Sequence, residues 1–304
     1  MYEPAEIKQH LREAADLAAL PLEEVVLPTE GRIAGNGLQL NYLDWGTDGL
    51  PPVLFLHGRS LTAHTWDLVC LALRQQYHCR ALDLRGHGNS DWSSEIDYSL
   101  DAHYSDLEAA VDALGLDRFI LAGMSLGGAT SLTYAGRHAD RLAALVIVDT
   151  GPETRTPGGQ RLNNFVTGTR EHDTIEDFVE RAMAFNPLRR PELLRRSLVH
   201  NLRQTPSGKW AWKYDHRING SQTDETREHR RTMLWDAVPR VSCPTLVVRG
   251  SNSDIFYDED AEKLAAALPH GSWVRIEGAG HTVQGDQPKA LVDALRPFLA
   301  QARR

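Results

Sequence analysis

Four short runs of almost unbroken apolar residues punctuate the chain: "PVLFL" (52–56), "RFILA" (118–122), "ALVIV" (144–148) and "TLVV" (245–248). A strand covered on one face alternates apolar and polar residues. One covered on both does not, so these runs predict the centre of a parallel sheet packed on its two faces. "CRALDL" (79–84) and "SWVRIEG" (272–278) are weaker strand candidates. Residues 31–45 alternate around Asn36-Gly37, a pair that favours the tight turn of a β-hairpin. Elsewhere the apolar period lengthens to that of a helix, at about 63–76, 103–115, 126–138, 258–268 and 287–301. A further amphipathic helix opens the chain at about 4–19, where Ile7, Leu11, Ala14 and Leu17 recur with charges between them.

Strand–helix repetition after a hairpin predicts an α/β fold, a mostly parallel central sheet flanked by helices. The rhythm breaks at 151–240, a charged, arginine-rich stretch that is mostly helical in pattern, with "KWAWKYDHR" (209–217) as an extended piece. The expected organisation is a core in two parts, 1–150 and 241–304, with a helical cap or lid inserted at 151–240. Such an insertion would lie over the strand ends, where open α/β sheets bind ligands.

Composition narrows the function. With 304 residues, 41 % hydrophobic and 24 % charged, the chain can bury a sizeable core. A net charge of −8, without Lys/Arg runs interleaved with aromatics, disfavours a nucleic-acid partner. No apolar segment approaches the ~20 residues that cross a bilayer, and no signal-like segment opens the chain, so a cytoplasmic location without a membrane partner is expected. Cys70, Cys79 and Cys243 show no Cys-x-x-Cys spacing and read as buried thiols in a reducing compartment. Walker, dinucleotide and metal-ligand motifs are absent, so neither a cofactor nor a metal is expected.

The chemistry centres on "FILAGMSLGGAT" (119–130), where four apolar residues run into glycines around Ser125. A serine here could simply cap a helix. As a nucleophile it needs a base, a group to orient that base, and donors for a developing oxyanion. Each has a candidate at the end of a predicted strand. The backbone N–H of Leu126, at the helix start, is one oxyanion donor. That of Arg59, in "HGRS" after strand 52–56, is the second. His281, in "EGAGHTVQ" after the last strand, is the base. Asp254, in "RGSNSD" after strand 245–248, is the preferred acid, and Asp149, 24 residues beyond the serine at the end of strand 144–148, is the alternative.

The order Ser125, Asp254, His281, together with "HGRS", "DLRGHGNSD" (83–91), "GMSLGG" and "GAGHTVQ", resembles the α/β-hydrolase superfamily over nearly the whole chain. The resemblance implies that Asp83, Arg85 and His87 are architectural. Relatives that attack with a carboxylate carry Asp at the elbow; this chain has Ser, which argues against dehalogenase and epoxide hydrolase activity. Some relatives take their acid from the strand after the elbow helix, the position of Asp149 here.

Acyl transfer to water from a small or medium ester or lactone is the expected reaction. Met124 beside the nucleophile and Trp66 after the oxyanion loop are expected in the pocket, with Trp210, Trp212 and Trp235 of the insertion. Two other functions are compatible with the pattern. One is carbon–carbon cleavage of an anionic ring-fission product, engaging Arg59, Arg189, Arg190 and Arg195; the other is a receptor-like or very slow use of the fold.

Overall fold

The computed structural model describes residues 3–301, apart from 169, 188, 222 and 223. Helix α1 (Pro4–Leu17) lays Leu11, Ala14 and Ala15 into the core. Strands β1 (Thr29–Ala34) and β2 (Gln39–Asp44) form the hairpin, and across its turn the N–H of Gly35 donates to the Leu38 carbonyl at 2.7 Å. Then β3 (Pro52–Leu56), α2 (Asp67–Leu73), β4 (His78–Leu82), α3 (Leu100–Ala113), β5 (Phe119–Met124), α4 (Leu126–His138) and β6 (Leu142–Val148) alternate.

The next segment holds α5 (Thr156–Thr167), β7 (Glu171–His172), α6 (Ile175–Phe185), α7 (Pro191–Asn201), β8 (Leu202–Gln204), β9 (Trp210–Trp212) and α8 (Asp224–Ala237). The chain returns to the sheet with β10 (Thr245–Gly250), α9 (Asp258–Ala267), β11 (Gly271–Ile276), α10 (Val283–Asp286) and α11 (Pro288–Gln301).

The main sheet has eight strands in the order β1-β2-β4-β3-β5-β6-β10-β11. The hairpin joins it antiparallel at β4, and every later pair is parallel. Two apolar layers explain the unbroken runs. Val53, Phe55, Ile120, Ala122, Val146 and Val148 pack on one face, and Leu54, Leu56, Leu121, Leu145 and Ile147 on the other. Helices cover both, as an all-parallel centre requires. Parallel strands also bring all their C-terminal ends to one edge, where the loops after β3, β4, β5, β6, β10 and β11 meet.

Between β6 and β10, β7, β9 and β8 make a second, three-stranded sheet that pattern reading did not anticipate. Phe178, Leu198, Trp212 and Tyr214 form a small core there. Backbone bonds tie it to the loop after β4: Gly88 N–H donates to Lys213 and Asp215 N–H to Gly86. Helix α8 belongs by packing to the main body, since Leu234 and Ala237 are buried with the second layer of the core. Among the described residues no helix is long and apolar enough to cross a membrane, and all three cysteines are buried free thiols.

Candidate active site

Strand β5 ends in a turn so tight that two glycines are obligatory. A Cβ on Gly123 would lie 2.3 Å from the Gly127 carbonyl oxygen, and one on Gly127 would lie 2.5 Å from that of Leu56. Between them Ser125 sits at φ 53°, a left-handed conformation that a serine rarely adopts. Its N–H is tied to the Val148 carbonyl at 3.0 Å, and its side chain makes no capping bond to α4. The hydroxyl points elsewhere, to His281 Nε2 at 3.0 Å.

His281 Nδ1 lies 2.7 Å from Asp149 Oδ2. The carboxylate only accepts, so Nδ1 carries the proton and Nε2 is left to accept from the Ser125 hydroxyl. Asp149 is fully buried and itself held at φ 52°. Its other contacts come from the loop after β10: Gly250 N–H donates to Oδ1 at 2.9 Å and Ser253 Oγ–H to Oδ2 at 2.6 Å.

The structure sets Asp149, the alternative acid of the sequence reading, against His281, and does not bring Asp254, the preferred one, to it. Asp254 turns away, pairs with Arg161 at 2.9 Å and is 37 % exposed. Asp149 directly follows β6, the strand beside β5, and its φ of 52° turns its carboxylate toward His281. The β10 loop reaches Asp149 rather than the imidazole, and it supplies donors instead of a carboxylate. Ser253 and Gly250 were missed by sequence reasoning; a serine one residue before an aspartate carries no signal of that role.

The first-turn N–H groups of α4 lack intrahelical acceptors. Gly127 N–H donates to the His57 carbonyl, which leaves that of Leu126 beside Ser125. His57 is fully buried in the turn after β3, with Nδ1 2.7 Å from the Gly58 oxygen and Nε2 accepting from Leu84 N–H at 2.9 Å. Asp83 ties together Ala63, Asn41 and Asn89, Arg85 forms a buried pair with Asp106, and His87 Nδ1 bonds the Arg85 carbonyl.

A cavity of about 90 Å³ opens beside His281, walled by Met124, Phe165, Phe185, Leu194, Leu198 and Trp212, with Arg59 and Arg189 also in its lining. Met124 and Trp212, both expected in a substrate pocket, line this cavity. Three other tryptophans do not. Trp66 is fully buried against Phe55 in the core, because the short 3-10 turn at Ala63–Trp66 rotates it inward. Trp210 packs in the small core around β9, and Trp235 bonds Glu153 through Nε1 at 3.0 Å. Of the four arginines singled out, Arg190 is exposed and Arg195 pairs with Glu176 on the surface.

One group among the described residues has metal-ligand spacing. His64, Asp67 and His200 bring ligand atoms within 4.8 Å of one another. The two imidazoles stack at 3.8 Å and Asp67 already pairs with Arg196, so the arrangement is satisfied as an ion-pair cluster.

Residues 51–288 match the model of the alpha/beta hydrolase fold family. The chain belongs to that family. It is 33 % identical over 299 residues, 95 % of this chain and 94 % of the relative, to Esterase Rv0045c of Mycobacterium tuberculosis. It is 35 % identical over 275 residues, 88 % of this chain and 96 % of the relative, to N-formylmaleamate deformylase of Pseudomonas putida. Among solved structures, the crystal structure of Rv0045c superposes with a TM-score of 0.78 at 30 % identity, covering 99 % of this chain and 100 % of that one. This alpha/beta hydrolase is an enzyme, with the mostly parallel eight-stranded sheet of its family.

Proposed function

We propose that this alpha/beta hydrolase cleaves carboxylic esters, lactones included, with Ser125 as nucleophile, His281 as general base and Asp149 as the acid that orients it. The observation that carries the proposal is the unbroken chain of hydrogen bonds from Asp149 through His281 to Ser125, at 2.7 and 3.0 Å. The similarity to Esterase Rv0045c supports the ester class.

Ser125 Oγ attacks the carbonyl carbon while its proton passes to His281 Nε2. The N–H groups of Leu126 and Arg59 hold the oxyanion; one such donor typically contributes roughly 3–4 kcal/mol to the barrier. The alcohol leaves with the proton from Nε2, giving an acyl-enzyme. Water, deprotonated by the same nitrogen, then releases the acid. The segment after β6 acts as a cap that closes the acyl pocket, with Met124, Phe165, Phe185 and Trp212 as its apolar wall. The similarity to N-formylmaleamate deformylase favours a second reading, in which the same centre opens an acyl donor other than an oxygen ester.

Purified protein should hydrolyse short p-nitrophenyl esters and take a fluorophosphonate label at Ser125. Ser125→Ala should lower kcat by at least about 10³-fold, as loss of a triad nucleophile does. Undiminished turnover in that variant, with no label on the parent, would remove Ser125 from the mechanism.

A further inference from the structure

The cavity beside His281 contains two arginines and no acidic residue in its lining. Arg59 comes from the loop after β3 and Arg189 from the link between α6 and α7, so two separate parts of the chain deliver a guanidinium to one chamber, whose apolar wall is interrupted by Ser60, Asn186, Ser197, Asn201 and Thr282. Burying a cation against Met124, Phe165, Leu194 and Trp212 is costly unless an anion meets it.

Neither arginine is met in full. Among the described residues, Arg59 has no carboxylate within ion-pair distance; it donates to Asn163 Oδ1 at 3.5 Å and faces the Tyr214 hydroxyl. Arg189 is 8 % exposed and forms a loose ion pair with Asp286, Nε to Oδ1 at 3.8 Å, in which Nε makes no hydrogen bond. Asp286 spends its oxygens on the N–H of Gly280 and the amide of Asn186. Burial disfavours the charged form of both arginines, and only for Arg189 does a carboxylate, that of Asp286, work against it.

We infer that the acyl group of the substrate carries a carboxylate, and that Arg59 and Arg189 receive it. This rests on the reading of Ser125 as the ester-cleaving nucleophile. The substrate class is the half-ester of a short dicarboxylic acid: the ester carbonyl lies at Ser125 and the free carboxylate in the chamber. Planar guanidinium groups suit this task, because each offers parallel donors to two oxygens. Both arginines share one lining with His281, so the ester and the carboxylate lie within a single cavity, as a short acyl chain allows.

The test compares monomethyl glutarate with methyl valerate, which have the same acyl length and differ in the terminal carboxylate, by pH-stat. In the parent enzyme kcat/KM should favour the half-ester at least tenfold. Arg59→Gln and Arg189→Gln should each shrink that ratio about tenfold, mainly through KM. Arg59→Lys and Arg189→Lys, which keep the charge, should retain part of it. An arginine that merely braces the fold would lower both esters together and leave the ratio unchanged, which would overturn the inference.

Calorimetry of free glutarate with Ser125→Ala provides a readout that needs no turnover. Binding should weaken with salt and be lost when Arg59→Gln is added. Hydrolysis of both esters without preference for the anion, or with no glutarate binding, removes the carboxylate site and leaves the esterase reading standing. Glutarate binding lost in the arginine variants, with neither ester turned over, does the reverse. Absence of both binding and turnover overturns the two together.

Discussion

A carboxylate can fix an imidazole only if it is itself fixed, and Asp149 meets that condition through three bonds and a strained backbone. Gly250, Ser253 and His281 all donate to it in a site without solvent exposure. Asp149→Asn would leave the side chain in place while reversing one hydrogen bond, which forces the wrong imidazole tautomer. We expect kcat to drop by about 10⁴-fold with the fold intact, by analogy with the same change in a protease triad. Asp254→Asn, which breaks only the surface pair with Arg161, should stay within about threefold. Ester kinetics beside circular dichroism melts decide between them; collapse of Asp254→Asn alone would restore Asp254 as the acid. Ser125 and His281 were legible in the sequence because their signals are local, glycines flanking a serine and a histidine after the last strand. Which carboxylate meets His281 was not legible, because the β10 loop contacts Asp149 instead of the imidazole, and the φ of 52° at Asp149 is a quantity no residue pattern carries.

At the scale of the element, the β5–α4 elbow depends on close approach of backbones. A Cβ at Gly127 would sit 2.5 and 2.6 Å from the Leu56 and His57 carbonyl oxygens, with backbone rather than a pliable side chain in the way. Gly127→Ala should cost at least about 3 kcal/mol and lower Tm by roughly 6 °C or more, while also displacing Ser125 and cutting turnover. Gly159 in α5 is the matched contrast, because nothing lies within 4 Å of its added Cβ. Gly159→Ala should instead stabilise by about 0.5–1 kcal/mol through helix propensity. Scanning calorimetry of the pair checks both signs, and an equal Tm for Gly127→Ala and parent would refute the packing account. Elements long enough to show a period were legible, as the apolar runs of β3, β5, β6 and β10 demonstrate. Strand β9 falls within the extended piece read at 209–217, but β7 and β8 were not legible, since two or three residues cannot display an alternation. Trp66 illustrates the same limit: its place after the loop was readable, but the 3-10 turn that sends it into the core was not.

Across the whole molecule, the loops under the catalytic edge enclose three buried imidazoles, His57, His87 and His103. Burial is the first cause in each case and holds them neutral, with pKa values pulled to about 4 for His57, about 3 for His87 and well below the usual value for His103. The unfolded chain takes up these protons as pH falls through 6.5, whereas the folded chain does not. Stability is therefore complete above about 6.5 and declines towards the folded values near 4 and 3, by about 1.4 kcal/mol per pH unit for each imidazole still neutral in the native state. His103 isolates the effect, because both its ring nitrogens lack partners among the described residues and no bond is lost when it is removed. His103→Leu should match or exceed the parent at pH 7, since an unpaired buried polar group disappears. Between pH 6 and 4.5 its stability should fall less steeply than that of the parent, because burial keeps the native His103 from taking up the proton that the unfolded chain binds. Urea unfolding midpoints for variant and parent across that range measure the difference, in which the carboxylates common to both cancel. Parallel stability curves would mean that His103 titrates alike in folded and unfolded chains, contrary to its burial.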